Sequence, residues 1–165
     1  MALIVHKYGG TSMGSTERIR NVAKRVAQWA RAGHRMVVVT SAMSGETNRL
    51  LGLAKELQPA QVTPESLREL DMIACTGEQV SVGLLALALQ AEGMPAVSYT
   101  GWQVPIRTDS AYTKARIESI DDARVGADLD AGQVVSITGF QGIDGLGHVT
   151  TLGRGGSDTS AVAVA

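Results

Sequence analysis

The apolar positions of this chain fall in short blocks whose period changes along the sequence. Residues 2–5 are an apolar run leading into His6-Lys7-Tyr8-Gly9-Gly10, which predicts a buried strand feeding a glycine-rich turn. Ile19, Val22, Ala23, Val26 and Trp29 (or Ala30) then recur at helical spacing, with Ser15 or Thr16 as the cap and Gly33 as the stop. Residues 36–39 are β-branched or apolar without alternation, the mark of a strand buried on both faces. A small polar turn over 40–48 follows, and Leu50, Leu51, Leu53, Ala54 and Leu57 predict a second helix. Thr63 with Ser66 starts a third, running through Leu67, Leu70, Met72 and Ile73. Thr76-Gly77-Glu78 reads as an interruption, after which residues 80–89 resume the helix. That stretch is apolar on nearly every face and is placed in the interior. Residues 96–99 give a weaker strand, 101–110 read as irregular, 115–120 as an edge strand and 121–130 as a short helix. Residues 134–138 are a strong strand, and Gly145 and Gly147 mark a hairpin-like loop leading to 148–152.

Strand and helix patterns that alternate in this way predict an α/β layer fold with a mainly parallel sheet. Ligands in such folds bind at the carboxyl edge of the strands. Three polar turns, at 7–12, 41–47 and 139–141, follow three of the strands and should gather on that edge.

Two glycine-rich turns, one of them outside these three, carry candidate chemistry. Gly153-Arg154-Gly155-Gly156-Ser157-Asp158 sits between apolar segments, and Ser157 or Asp158 can cap a helix beginning there. A helix start among glycines offers bare N–H groups to an anion, and Arg154 adds a planar fork for a carboxylate or phosphate. At the other end, Lys7-Tyr8-Gly9-Gly10-Thr11-Ser12 combines a fixed positive charge, uncovered amides and hydroxyls. It is not a P-loop, because the lysine precedes the glycines. No dinucleotide fingerprint, nucleophile elbow or Ser-His-Asp set is present.

Composition narrows the classes. The 165 residues fit one domain, with 44% hydrophobic and 19% charged residues. A net charge of −1 with no basic run argues against nucleic acid as a partner. The longest apolar run, 82–89, is too short to span a bilayer, so no membrane partner is expected. His6, His34 and His148 show no metal-ligand spacing. The single cysteine, Cys75, reads as a small buried hydrophobe, and a cytoplasmic location is expected.

Taken together, residues 7–12, the 37–48 turn with Ser41 and Thr47, Thr76-Gly77-Glu78 and residues 151–159 resemble the aspartate kinases of the amino acid kinase family. The resemblance covers the whole chain. It implies a three-layer sandwich of the amino acid kinase (carbamate kinase-like) type. It also implies transfer of the ATP γ-phosphate to the β-carboxylate of L-aspartate, with Mg2+ accompanying the nucleotide. Lys7 would neutralise the phosphoryl group and Asp158 would orient Lys7. Tyr8, Gly9, Gly10, Ser12 and Ser157 would lie along the phosphates. Ser41, Thr47, Glu78, Arg154, Gly155, Gly156 and Ser157 would hold aspartate. Tyr8 stands where phenylalanine is commoner in the family. Other members of the family, acting on glutamate, acetylglutamate or a nucleotide monophosphate, are the second reading, and a non-catalytic anion-binding module the third.

The resemblance also implies a longer protein, with an adenine-binding segment and regulatory ACT domains that are absent from residues 1–165. The expectation is therefore a truncated, N-terminal part of a catalytic domain that holds part of the aspartate site but does not turn over ATP alone. The full-length protein would be a homo-oligomer. The apolar edge left uncovered beside residue 165 predicts self-association.

Overall fold

The computed structural model describes all 165 residues. The chain opens with β1 (Leu3–Tyr8), α1 (Thr16–Arg31) and β2 (Arg35–Thr40). Three helices follow: α2 (Glu46–Leu57), α3 (Pro64–Ala74) and α4 (Thr76–Ala91). Next come β3 (Ala96–Tyr99), β4 (Ile106–Thr108), β5 (Ile117–Ile120), α5 (Ala123–Asp130) and β6 (Val134–Thr138). The chain closes with β7 (Gln141–Ile143), β8 (Val149–Thr151) and α6 (Gly156–Val164).

The main sheet is wholly parallel, in the order β1-β2-β6-β3. Its central strand β2 shows why residues 36–39 do not alternate. Met36 and Val38 pack into a cluster with Ile19, Val22 and Val26 of α1 and Leu85 and Leu89 of α4. Val37 points the other way, toward Val125 and Leu129 of α5, Val135 and Ile137 of β6, and Ile106. Both faces of the strand are thus roofed, and the layers run helix, sheet, then helices with a second sheet. Each fully buried leucine of α4 contributes on the order of 2 kcal/mol of burial.

Several local signals act as the sequence suggests. The Ser15 hydroxyl accepts the Arg18 N–H at the start of α1. Thr63 and Ser66 form a reciprocal capping box on α3. Others need correction. Thr76-Gly77-Glu78 is the first turn of α4 and no gap; the break lies at Cys75, and the helices run on almost continuously. Residues 64–91 form a 28-residue run long and apolar enough to cross a bilayer, but half of its most apolar window is buried inside the fold. It is a core helix, packed on α1 and on the sheet. Trp29 is 42% exposed; the alternative, Ala30, packs partly buried against the core, beside the fully buried Ala27. Of the apolar residues in α2, only Ala54 is buried.

The second sheet was not visible as such in the sequence. Its order is β5-β4-β7-β8, and β4 lies inside the stretch expected to be irregular. Strands of three residues leave too little pattern to read. This sheet rests against α3 through β8 and carries the chain back to the edge where α6 begins.

Candidate functional site

The three polar turns meet as expected at the carboxyl edge of β1, β2 and β6. The Ser41 N–H donates to the Tyr8 carbonyl at 3.0 Å, and the Gly139 N–H to the Thr40 carbonyl at 2.9 Å. Above them lies a cavity of about 340 Å³ whose lining includes Gly10, Ser41, Thr47, Glu78, Gly155 and Ser157. Three helices begin at its wall. The residue before α2 is Gly45 (φ 78°) and that before α6 is Gly155 (φ 74°), both left-handed. The third, α4, follows Cys75, and none of the three has a side-chain cap. The Glu46 N–H turns back to the Met43 carbonyl and the Gly156 N–H to the Gly153 carbonyl. The next N–H groups of α2 and α6 have no side-chain cap, so these two positive helix ends favour an anion. Helix α4 runs on from α3 and presents no free end.

Contacts across the cavity tie distant segments together. The Ser41 hydroxyl donates to Ser157 Oγ at 2.8 Å. This close approach requires Gly139, because a Cβ there would lie 2.7 Å from that of Ser157. Lys7 Nζ pairs with Asp158 Oδ1 at 3.0 Å. The ammonium also lies against Gly9, 3.4 Å from where a Cβ would stand. Lys7 therefore sits between the Gly9-Gly10 turn and the start of α6. Neither it nor Asp158 is part of the cavity lining, and Lys7 borders a separate groove with His6, Arg25 and Trp29.

Glu78 is the charged side chain buried in the cavity wall, 3% exposed. Its Oε1 accepts the Ala42 N–H at 3.2 Å, and the Gln141 amide reaches Oε2 only at 3.5 Å. Burial pushes its pKa up to about 7, against the lowering effect of the backbone amides of Glu78 and Ala42. A carboxylate placed so, with spare acceptor capacity, is suited to a cationic group.

The other residues named from the sequence are distributed unevenly. Thr47, Gly155 and Gly156 line the cavity with Gly10. Arg154 is exposed in the turn before α6, forms no ion pair within the chain, and is not part of the lining. Tyr8 and Ser12 open on a neighbouring groove with Arg18 and Arg25. Gln141 is a site neighbour that sequence reasoning passed over. It is fully buried, and its amide donates to the Cys75 carbonyl at 3.0 Å, next to α4. Its only sequence signal was a polar residue directly after a buried strand and a Gly-Phe turn. Cys75 is buried as expected, and burial raises its thiol to about 11.

Residues 2–165 match the family model described as the amino acid kinase family. The chain belongs to the amino acid kinase family. Within that family it is 60% identical over 165 residues to an aspartokinase of Pseudomonas aeruginosa, covering all of this chain and 39% of that protein. The crystal structure of aspartate kinase from Synechocystis is 44% identical, with a TM-score of 0.77 over 98% of this chain and 26% of its own. The aspartokinase III of E. coli, solved in complex with aspartate and ADP, superposes with a TM-score of 0.84 over 99% of this chain and 46% of its own. At 23% identity that likeness speaks to the fold alone. This amino acid kinase chain thus spans about 40% of the length of the curated relatives it matches.

Proposed function

We propose that the protein to which this chain belongs is an aspartate kinase, forming ADP and 4-phospho-L-aspartate from ATP and L-aspartate. The observation that carries the reading is the cavity itself: the uncapped starts of α2 and α6 share it with one buried carboxylate. An amino acid with two carboxylates and one ammonium has the matching charges. Glu78 takes the α-ammonium, and Arg154, Gly155, Gly156 and Ser157 take the α-carboxylate, with Ser41 and Thr47 beside them. The named aspartokinases among its relatives, at 50–61% identity, support the same substrate.

The chemistry needs little more than placement and charge neutralisation. A β-carboxylate, with an ordinary pKa near 3.9, is already ionised at neutral pH, so no general base is required. One of its oxygens attacks the γ-phosphorus, and the bond from that phosphorus to the β,γ-bridging oxygen breaks, leaving ADP. Lys7, held by Asp158, balances the charge on the transferred group. Gly9 and Gly10, followed by Ser12, offer amides and a hydroxyl to the phosphates, with Tyr8 alongside. No group of three or more His, Cys, Asp or Glu side chains converges in the chain. Mg2+ bound to the nucleotide phosphates would supply further charge neutralisation there.

Thermal unfolding of the chain in the presence of each amino acid tests the substrate. L-aspartate should raise Tm, with about 2.7 kcal/mol of stabilisation at one hundred times Kd, and L-glutamate should not. Equal protection by glutamate, or none by aspartate, overturns the assignment.

A further inference from the structure

The mechanism above makes no use of Asp71, yet its carboxylate makes four hydrogen-bond contacts deep in the fold. It lies on α3, is fully buried and does not line the cavity. Its Oδ1 accepts the Thr151 hydroxyl at 2.6 Å and the Thr113 N–H at 3.1 Å. Its Oδ2 accepts the Thr113 N–H at 3.0 Å and the Thr151 N–H at 2.9 Å. No cation is paired with it. A buried, uncompensated carboxylate is costly, and here its acceptors go to two segments 42 and 80 residues away.

Both segments lead to the Gly153 turn. Thr151 ends β8, and the chain reaches Gly153 two residues later. Thr113 is held at φ 69°, a left-handed conformation strained for a β-branched residue. In that conformation its N–H faces Asp71 and its carbonyl abuts Gly153, where a Cβ would come within 3.1 Å. Gly153 is itself left-handed at φ 80°, and its carbonyl accepts the Gly156 N–H at the first residue of α6. A continuous line of contacts therefore runs from Asp71 through Thr113 and Thr151 to the start of α6. The same loop has a separate anchor. Asp144 accepts the Ser110 and Tyr112 hydroxyls, and Asp109 accepts the Ala111 and Arg116 amides. Loss of Asp71 would thus loosen the turn without releasing the whole loop.

We propose that Asp71 is a positioning residue for substrate binding: through Thr113 and Thr151 it fixes the turn carrying Gly153, Arg154 and the N–H groups of α6. This rests on the reading of that turn as the binder of the aspartate α-carboxylate. The chemistry of an amide at position 71 is instructive. An amide nitrogen at the Oδ2 position would face two N–H donors. At the Oδ1 position it can donate to a reversed Thr151 hydroxyl but still faces the Thr113 N–H. Asp71→Asn therefore weakens the clamp, and Asp71→Ala removes it.

The test combines calorimetric titration with L-aspartate and amide hydrogen exchange on the 165-residue chain. Asp71→Asn should weaken aspartate binding about tenfold. It should also speed exchange at residues 153–157 while leaving residues 41–46 as in the wild type. Asp71→Ala should move both readings further; should it not fold, the Asn variant still decides. Thr151→Ser, which keeps every donor, should retain wild-type affinity, and Thr151→Val should not. A lower Tm with unchanged affinity and unchanged exchange at 153–157 overturns the proposal, leaving Asp71 as core packing. If the wild-type chain binds no aspartate, the kinase reading falls instead, and the exchange arm alone decides whether Asp71 fixes the turn.

Discussion

Asp71 and Glu78 stand seven residues apart on one nearly continuous helical run, both buried, and their surroundings treat them in opposite ways. Asp71 receives four hydrogen-bond contacts from Thr113 and Thr151 and faces no cavity. Glu78 receives the Ala42 N–H at 3.2 Å, its own backbone amide and a long contact from Gln141, and faces an open space of about 340 Å³. Burial raises the pKa of both, countered at Asp71 by the Thr151 and Thr113 donors and at Glu78 by the backbone amides of Glu78 and Ala42. The saturated carboxylate has no capacity left for a ligand and holds backbone in place. The unsaturated one is paired only when something cationic enters. The two roles differ in who supplies the donors, protein or substrate.

The largest effect expected is at Glu78. Replacing it by Gln should weaken L-aspartate binding about a hundredfold, because a buried charge partner is lost. The fold should survive, since the amide remains able to accept the Ala42 N–H. Retained affinity in calorimetry would erase the distinction drawn between the two carboxylates. Next comes Asp71→Ala, which leaves buried amides unpaired and should cost about 3 kcal/mol of stability, read by urea denaturation. A cost near zero would mean that water replaces the carboxylate.

The pH dependence sharpens the contrast. The folded pKa of Glu78, about 7, lies above its ordinary 4.5. The folded chain therefore holds this proton more tightly than the unfolded one. Stability from Glu78 is fully present below 4.5 and is lost as pH rises through 7. Glu78→Gln should accordingly gain Tm relative to wild type between pH 5 and pH 8, at roughly 2–4 °C per kcal/mol for a chain of this length. A parallel pair of Tm curves would contradict it. The smallest effect is at Asp158→Asn. The Asp158 side chain is 71% exposed, so losing its pair with Lys7 should cost under about 1 kcal/mol of stability.

What the sequence revealed follows the same physics. The two central strands of the main sheet, β2 and β6, are apolar and β-branched runs buried on both faces, and their lack of alternation is plain in the sequence, whereas β1, expected to be buried, is a half-exposed edge strand. The glycine turns are legible because left-handed caps at Gly45 and Gly155 leave few other residues possible. Lys7, Ser41, Glu78 and Ser157 come from such turns or from the helix start beside one. Strands β4, β7 and β8 were obscure because three residues carry no period. Asp71 was obscure for a different reason. On α3 it looks like any polar residue on a helix, and its partners are brought to it only by the second sheet. Gln141 is hidden likewise, since its value lies in reaching Cys75 and Glu78 across the fold.

The central claim is that the cavity recognises an ammonium through Glu78 and a carboxylate through the helix starts opposite. Titrating the chain at pH 8 with L-aspartate and, separately, with succinate, which has the same two carboxylates but no ammonium, tests it most directly. The account predicts saturable binding of aspartate and succinate binding weaker by about a hundredfold. Equal affinity for the two diacids would contradict it.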